Sequence, residues 1–413
     1  MLPVFQTLFR LFPISSALSC LLALCCLHAQ AFNPITDRIR VLVPLAASAS
    51  FDQALAEVVR EFNSKQNRFE VDLSRPGSTF QCLRAIIASH YANDLPDLAV
   101  VNEADIKVLQ EFAILQPFER AWISKKRFLE HLSHRSKCGA HSNQNCSIPF
   151  QRSVAVWYFN QEALFRLKQE PGSIPTDWAR LSALSQRLHK PNELWGLGIA
   201  GTGETAITRW TALGLKLEES ANDAAVDWVK RMWDSQGNWL PGSPSVNEVT
   251  KRFMEQRAVI LLGALDQWSY FKHNAPFRFG VALSEPQPKW FGTDMVLLST
   301  GKKTAWAREF LDYLYRPEIA LRLFKTATTL PVAREYLENS GWKAEIHSNP
   351  ILKSLSEKRL TPSHLAKIAP QVREEWSAAL WQAIEQPTEP SLRAGKTAEL
   401  RTSLQKILST NQR

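Results

Sequence analysis

The sequence predicts an α/β protein with two regions of sheet and helix. Three observations carry this reading. From Ile39 to Val101, short runs of period two alternate with runs of helical spacing. A second series of the same kind follows a long apolar strand, Val154–Phe159. No Pro/Gly-rich linker divides the chain, so the two regions are expected to be joined by several crossings. At 413 residues the chain is long enough for two compact domains. With 45% hydrophobic and 22% charged residues it can build a sizeable core, which argues against disorder.

The elements follow in order. Ile39 to Val43 is a short β-rich run. Leu55, Val58, Val59 and Phe62 fall on one face of a helix. Phe69, Val71 and Leu73 alternate as a second strand, and Phe80, Leu83, Ile86 and Ile87 mark a second amphipathic helix. Leu98 to Val101 is a third strand, introduced by Pro96-Asp97. This βαβαβ rhythm implies a parallel sheet with helices on its faces. Ligands of such sheets sit beyond the carboxyl ends of the strands, which places Gly77-Ser78-Thr79 and Asn102-Glu103 near a candidate site.

In the second region Thr176 is placed to cap a helix carrying Trp178, Leu181, Leu184 and Leu188. Trp195 to Ala200 is strand-like and leads into Gly201-Thr202-Gly203. Val226, Val229 and Trp233 mark a helix. Ala258 to Leu262 is a strand that breaks at Gly263-Ala264, and Phe279–Leu283 and Met295–Leu298 are two more. The last third is helical. Ala307, Phe310, Leu311 and Leu314 share a face, stopped by Pro317; Val372, Trp376 and Leu380 share another, then Leu400, Leu404 and Leu408.

Residues 1–31 read as a signal peptide. Arg10 is the only charge before the apolar run Leu11–Leu27, no acid precedes Asp37, and the run ends in Ala29-Gln30-Ala31. Pro13 and the nearby serines set it against a membrane span. Cys20, Cys25 and Cys26 lack the preceding Ala or Gly of a lipobox, so a cleaved, exported protein is expected rather than a lipid-anchored one. Removing this segment lowers the formal charge from +9 to +8. The basic residues are scattered, not clustered, which excludes the footprint of nucleic-acid binding.

Three cysteines then remain. Cys138 and Cys146 enclose a short polar stretch and are expected to form a disulfide, as export permits. The alternative is a metal site with His131, His134 and His141, but that spacing matches no standard zinc site, so no metal is expected. Cys82 lies between apolar helix positions and is expected to be buried.

Catalytic and cofactor motifs are missing. The chain has no Gly-x-Ser-x-Gly elbow, His-Glu-x-x-His, P-loop or Cys-x-x-Cys. Gly201-Thr-Gly-Glu-Thr-Ala206 fits a dinucleotide fingerprint, yet it stands far from the N-terminal βαβ unit and carries Glu204. A glycine turn offering backbone N–H groups to a small ligand explains it better, and no cofactor is expected. Of the 14 tryptophans, Trp178, Trp233, Trp306 and Trp376 fall on helix faces and belong to the core. Trp210, Trp268 and Trp290 follow glycine turns and are the pocket candidates. Arg152 and Arg373 are the cations able to clamp a phosphate or carboxylate bidentately.

The pattern resembles the family 1 extracellular solute-binding proteins, the group of maltose-binding and glycerol-3-phosphate-binding proteins. The segments that carry the resemblance are Ile148-Pro-Phe-Gln-Arg-Ser-Val-Ala-Val-Trp-Tyr-Phe-Asn160, Pro175-Thr-Asp-Trp-Ala-Arg-Leu181, Phe253-Met-Glu-Gln-Arg-Ala-Val-Ile260, Ala307-Arg-Glu-Phe-Leu-Asp-Tyr-Leu314 with Pro317-Glu318, and Leu330-Pro331-Val332. Together they span nearly all of residues 36–408.

The resemblance implies a type II periplasmic-binding-protein fold. This has two α/β lobes, each a sheet flanked by helices, joined by a multi-crossing hinge. The expected lobes are 32–152 with 296–327, and 153–295 with 328–413. Crossings are expected at Gln151–Val156, Met295–Leu298 and Ala327–Thr329. The resemblance also implies a periplasmic monomer that binds a sugar or polyol phosphate in the cleft, docks on the transmembrane subunits of an ABC permease and catalyses nothing. Residue by residue, Glu103 matches the strand-end acid of the glycerol-phosphate binders, and Ser153 stands at their hinge serine. Pro370-Gln371-Val372-Arg373 resembles the segment carrying their phosphate-contacting Arg. Ala264 replaces a serine, Thr293 stands beside Gly292 where a glycine is expected, and Thr329 stands in place of a Tyr. The loop Pro44–Ser50 lacks their aromatic residue. Two rival readings go with this one. A secreted carbohydrate-active enzyme would pair Glu103 with Asp266 or Asp294 at about 5–10 Å. A receptor module would pass the ligand's signal to a sensor.

Overall fold

The computed structural model describes residues 37–45, 49–133, 136–138, 144–169, 174–175, 178–190, 193–201, 245–284, 288–298, 300–355, 360–362, 375, 378–380, 382 and 393–410. The signal-peptide segment, the stretch containing Trp210 and the helix around Val226–Trp233 lie outside them, as do Val372, Arg373 and Trp376 of the later helical face.

The first sheet grows from the alternation seen in the sequence. Strand β1 (Arg38–Leu42) pairs in parallel with β2 (Glu70–Ser74), through Ile39 opposite Val71, and with β3 (Leu98–Asn102), through Val41 opposite Leu98. Successive side chains face opposite sides of a strand. Ile39, Val41, Leu98 and Val100 enter one core, whereas Leu42, Ala99 and Val101 enter another. Helix α1 (Ala49–Ser64) covers the first of these faces, while α2 (Thr79–Tyr91) and α3 (Glu103–Glu111) cover the second. The short α4 (Arg120–Lys126) follows.

The next strand, β4 (Ser147–Asn160), belongs to two sheets. Ser147 to Val154 pair antiparallel with β8 (Lys289–Leu297), which lies between β4 and β3. From Ala155 onward β4 changes partners. It pairs with β6 (Ala258–Ala264) on one side and β7 (Phe279–Leu283) on the other, and β5 (Trp195–Gly198) adds to β6 in parallel. Helices α5 (Gln161–Arg166), α6 (Trp178–Leu188), α7 (Val246–Met254) and α8 (Trp268–Asn274) surround this second sheet. Strand β6 is buried on both faces, so Ala258 to Ala264 reads as an unbroken apolar run rather than an alternating one.

Helices α9 (Lys302–Leu314) and α10 (Pro317–Phe324) return to the first sheet. Phe310 packs on Phe62 at 5.3 Å, and Trp306 stacks on Phe69 at 5.1 Å. The chain then passes β4 again, with Leu330 N donating to Arg152 O at 2.7 Å. It continues into α11 (Arg334–Glu338), α12 (Ser340–Ser348) and α13 (Pro350–Leu355). The two-residue β9 (Thr361–Pro362) and α14 (Arg393–Thr410) complete the described chain.

Met295 to Leu297 of the expected second crossing lie in β8. Met295 to Leu297 are opposite Val100 to Leu98 deep in the first sheet. The boundary expected between 295 and 296 therefore falls inside a strand whose ladder lies wholly with β3, β4 and β9.

Cys138 and Cys146 are joined, with Cα atoms 5.0 Å apart. The link closes a small hairpin held by Cys138 N to Gln144 O and Cys146 N to Ser136 O. The loop is short, so replacing both cysteines by serine is expected to cost only about 2 kcal/mol of unfolding free energy. Urea denaturation of the wild type and the double variant measures this.

Candidate functional site

Where β2 and β3 end, the chain turns into helix N-termini. Gly77 makes the turn before α2 at φ 118°, a backbone region that side chains rarely adopt. Ser78 caps α2: its Oγ accepts from Gln81 N, and Gln81 Oε1 accepts from Ser78 N at 2.8 Å. This is the reciprocal capping box, and Ser-x-x-Gln just before an apolar run is its sequence signature. Leu45 N donates to Gly77 O at 2.6 Å, which ties the rim loop after β1 to the same turn. Thr79 Oγ1 accepts from Asn102 Nδ2 at 2.9 Å, and Asn102 N donates to the Asp105 carboxylate at 3.0 Å as α3 begins. Thr79, Asn102 and Glu103 are thus locked into one cluster at the strand ends.

Strand register extends this cluster. Asn102 lies opposite Thr293 of β8, and Thr293 lies opposite Gln151 of β4. Gly292 faces Arg152, Ser153 faces Phe291, and Ala155 faces Ala264 of β6. Thr329 borders β4 through its neighbour Leu330 and, with Gln151, Phe51 and Phe324, lines a small cavity of about 40 Å³. The structure therefore gathers Thr79, Glu103, Ser153, Ala264, Gly292, Thr293 and Thr329 in a line across the junction of the two sheets. Trp268 stands apart. It packs edge-on against Phe279 and lines a different cavity, with Ser269 and Thr328. Trp210 and Arg373 lie outside the described residues.

Two hydroxyls in this line are notable. Ser153 Oγ and Thr293 Oγ1 are buried and have no hydrogen-bond partner in the protein. A buried polar group left unpaired costs about 1–3 kcal/mol. Glu103, 6% exposed, puts a carboxylate at the strand end. Acceptors, hydroxyls and helix N-termini on one line suit a solute rich in hydroxyl groups.

Arg152 and Trp290 are held by partners inside the protein. Arg152 is fully buried and ion-paired with Asp294. Its Nε donates to Leu132 O at 2.9 Å and its Nη1 to Thr293 O at 2.6 Å. The Asp294 Oδ2 atom accepts from Ser147 Oγ at 2.8 Å. Trp290 stacks on this guanidinium at 4.4 Å and donates to His131 O, leaving it 1% exposed. Both residues are therefore internal braces of the crossing strands. Asp294, engaged in this way, is not placed as the second carboxylate of a hydrolase. Beside it the Tyr315 hydroxyl donates to Pro149 O at 2.7 Å. Burial, with Tyr336 and Asp294 adding to it, pushes the Tyr315 phenol well above its ordinary pKa and keeps it a neutral donor.

A strand shared by two α/β sheets, passed again by the chain at Leu330, fits a two-lobe α/β architecture. The chain belongs to the bacterial extracellular solute-binding proteins, whose family profile matches residues 57–353. It is 22% identical over 325 residues to the sn-glycerol-3-phosphate-binding periplasmic protein UgpB of Yersinia pestis bv. Antiqua, covering 71% of this chain and 74% of that one. The crystal structure of UgpB from Mycobacterium tuberculosis in complex with glycerophosphocholine matches with a TM-score of 0.73 at 14% identity, over 92% of this chain and 100% of that one. Maltose-bound MalE3 of T. maritima matches with the same TM-score, 0.73, at 15% identity, over 90% and 99%. The fold is that of the type II periplasmic binding proteins.

Proposed function

We propose that the protein is the exported solute-binding component of an ABC importer and takes a sugar or a glycerol-phosphate-type polyol into the cleft between its lobes. The observation that carries this reading is the polar line Thr79–Glu103–Thr293–Ser153 between the two sheets, with its two buried, unpartnered hydroxyls. The names of the relatives, which bind sn-glycerol-3-phosphate, glycerophosphocholine and maltose, support the solute class. Solute hydroxyls pair with Ser153, Thr293 and Glu103, and the lobes close about the crossings to exclude water. Closure shifts the population by the solute's differential affinity for the closed form. The closed form then docks on the permease. The basic mature surface favours anionic solutes at long range.

The test is thermal stabilisation and titration calorimetry with maltose, sn-glycerol-3-phosphate and glycerophosphocholine. A true solute at 100 times its Kd stabilises the protein by about 2.7 kcal/mol. Ser153→Ala and Thr293→Val are each expected to weaken that solute about tenfold, the value of one hydrogen bond to a ligand. If none of the three compounds stabilises the wild type, or if both variants keep full affinity, the reading fails.

A further inference from the structure

The cavity beside Thr329, at about 40 Å³, offers roughly three times the ~15 Å³ that one water needs. Its mouth is built on a bulge in β4. Pro149 lies opposite Asp294 and Gln151 opposite the adjacent Thr293, so Phe150 is an extra residue with no partner on β8. Phe150 and Gln151 are also the two residues of β4 that are not buried. The Phe150 ring meets Phe51, near the start of α1, edge-on at 6.5 Å. With Thr329, which follows α10, these residues put the opening beside the polar line, since Gln151 pairs with Thr293.

The interior is apolar. Tyr315, Tyr336 and Trp342 line it, and each directs its donor to the backbone. The Tyr315 hydroxyl donates to Pro149 O at 2.7 Å, the Tyr336 hydroxyl to Tyr315 O at 3.3 Å and Trp342 Nε1 to Pro317 O at 2.9 Å. Leu314, Leu323, Phe324 and Val332 add aliphatic and phenyl carbon to the wall. These side chains are buried, whereas Gln151 and Thr329 are half-buried at the opening. An apolar cavity of this kind stays dry, and its lining gains dispersion contacts when a hydrocarbon group enters. A charged group placed there would lose its water with little in return.

We propose that this cavity is an apolar subsite of the cleft and takes a short saturated alkyl group of roughly two or three carbons. The solute is then a sugar or polyol that carries such a group as an ether, ester or glycoside. Its linking oxygen lies between Gln151 and Thr329, and its hydroxyls follow the polar line. This rests on the cleft being the solute site; what the cavity adds is a preference for the alkylated compound over the bare one. Each carbon placed inside buries apolar surface and strengthens binding.

The first test needs no solute. 1-Propanol is titrated into protein with labelled methyl groups and followed by NMR. Saturable shifts are expected at the methyls of Leu323, Ala327 and Leu330, all on the cavity wall. Their absence overturns the proposal whatever the cleft binds. Calorimetry then compares maltose with ethyl maltoside, and sn-glycerol-3-phosphate with its ethyl ester. For the parent that binds, the ethyl compound is expected to bind about tenfold tighter, from roughly two more buried carbons. Ala327→Leu fills the cavity and is expected to bring that ratio to about one. Leu323→Ala enlarges it and is expected to move the preferred chain from ethyl to butyl, a gain that misfolding does not mimic. Equal binding of parent and ethyl compounds overturns the proposal, as does an ethyl preference unchanged in both variants. If 1-propanol fills the cavity while neither parent nor derivative binds, the choice of these solutes fails and the apolar specificity of the cavity stands.

Discussion

Arg152→Met is expected to lower the unfolding free energy by about 3–5 kcal/mol, the usual cost of leaving one member of a buried ion pair without the other. The guanidinium and the Asp294 carboxylate are both almost wholly inaccessible, at 0% and 1% of side-chain exposure. Without the arginine, Asp294 keeps Ser147 as a donor but loses its counter-ion, and the Leu132 and Thr293 carbonyls each lose a donor. Arg152→Lys is expected to rescue little, because an ammonium cannot span Leu132, Thr293 and Asp294 with one fixed fork. Adding Asp294→Leu to Arg152→Met is expected to recover at least about 1 kcal/mol, the signature of direct coupling. Equilibrium denaturation in urea reads all of these. A cost under about 1 kcal/mol for Arg152→Met would show that the pair contributes nothing to the crossing.

Gly292→Ala is expected to destabilise by about 2–3 kcal/mol and to weaken solute binding more than tenfold. A Cβ at this position would lie 2.0 Å from Gln151 O and 3.1 Å from Arg152 Cα. These are backbone atoms of β4, so no rotamer change relieves the contact and the two crossing strands must separate. Thr293 follows directly and Ser153 lies on the strand that is pushed, so the two hydroxyls proposed to meet the solute move together. Gly198→Ala is the control. Its added methyl would meet Leu261 and Ala258 at ordinary contact distances of 3.5 and 3.6 Å, and stability is expected to stay within about 0.5 kcal/mol. Equal effects of the two substitutions on stability and on solute affinity would refute the close-approach argument.

The first sheet was legible because burial on both faces of an alternating strand leaves a period-two trace. Ile39 and Val41 face one core while Leu42 faces the other. The cleft half of β8 left no such trace. Trp290-Phe291-Gly292-Thr293 mixes large aromatics with a glycine, so the expected strand began only at Met295. What makes glycine necessary there is a neighbouring backbone, which local sequence does not display. The same limit governs Arg152 and Trp290, both read as ligand contacts. Their partners Asp294 and His131 lie 142 and 159 positions away in the chain, and nothing near either residue announces them. The Cys138–Cys146 link was legible for the opposite reason, since its two ends are close in sequence. Among the site residues, Thr79 and Glu103 followed from the rule that ligands gather at strand ends, whereas Ser153, Ala264, Gly292, Thr293 and Thr329 came from the family resemblance.

The order in which strands enter the first sheet governs how this chain matures. Strand β8 sits between β3 and β4, yet among the described strands of both sheets it is made after all but the short β9. Until residue 297 has left the ribosome, β3 has an open edge and β4 has only its later half paired. Nascent chains up to that length hold a half-built sheet, and loop closure over nearly two hundred residues must precede its completion. A late-arriving central strand of this kind puts the longest-range pairing of the sheet at the end of its assembly.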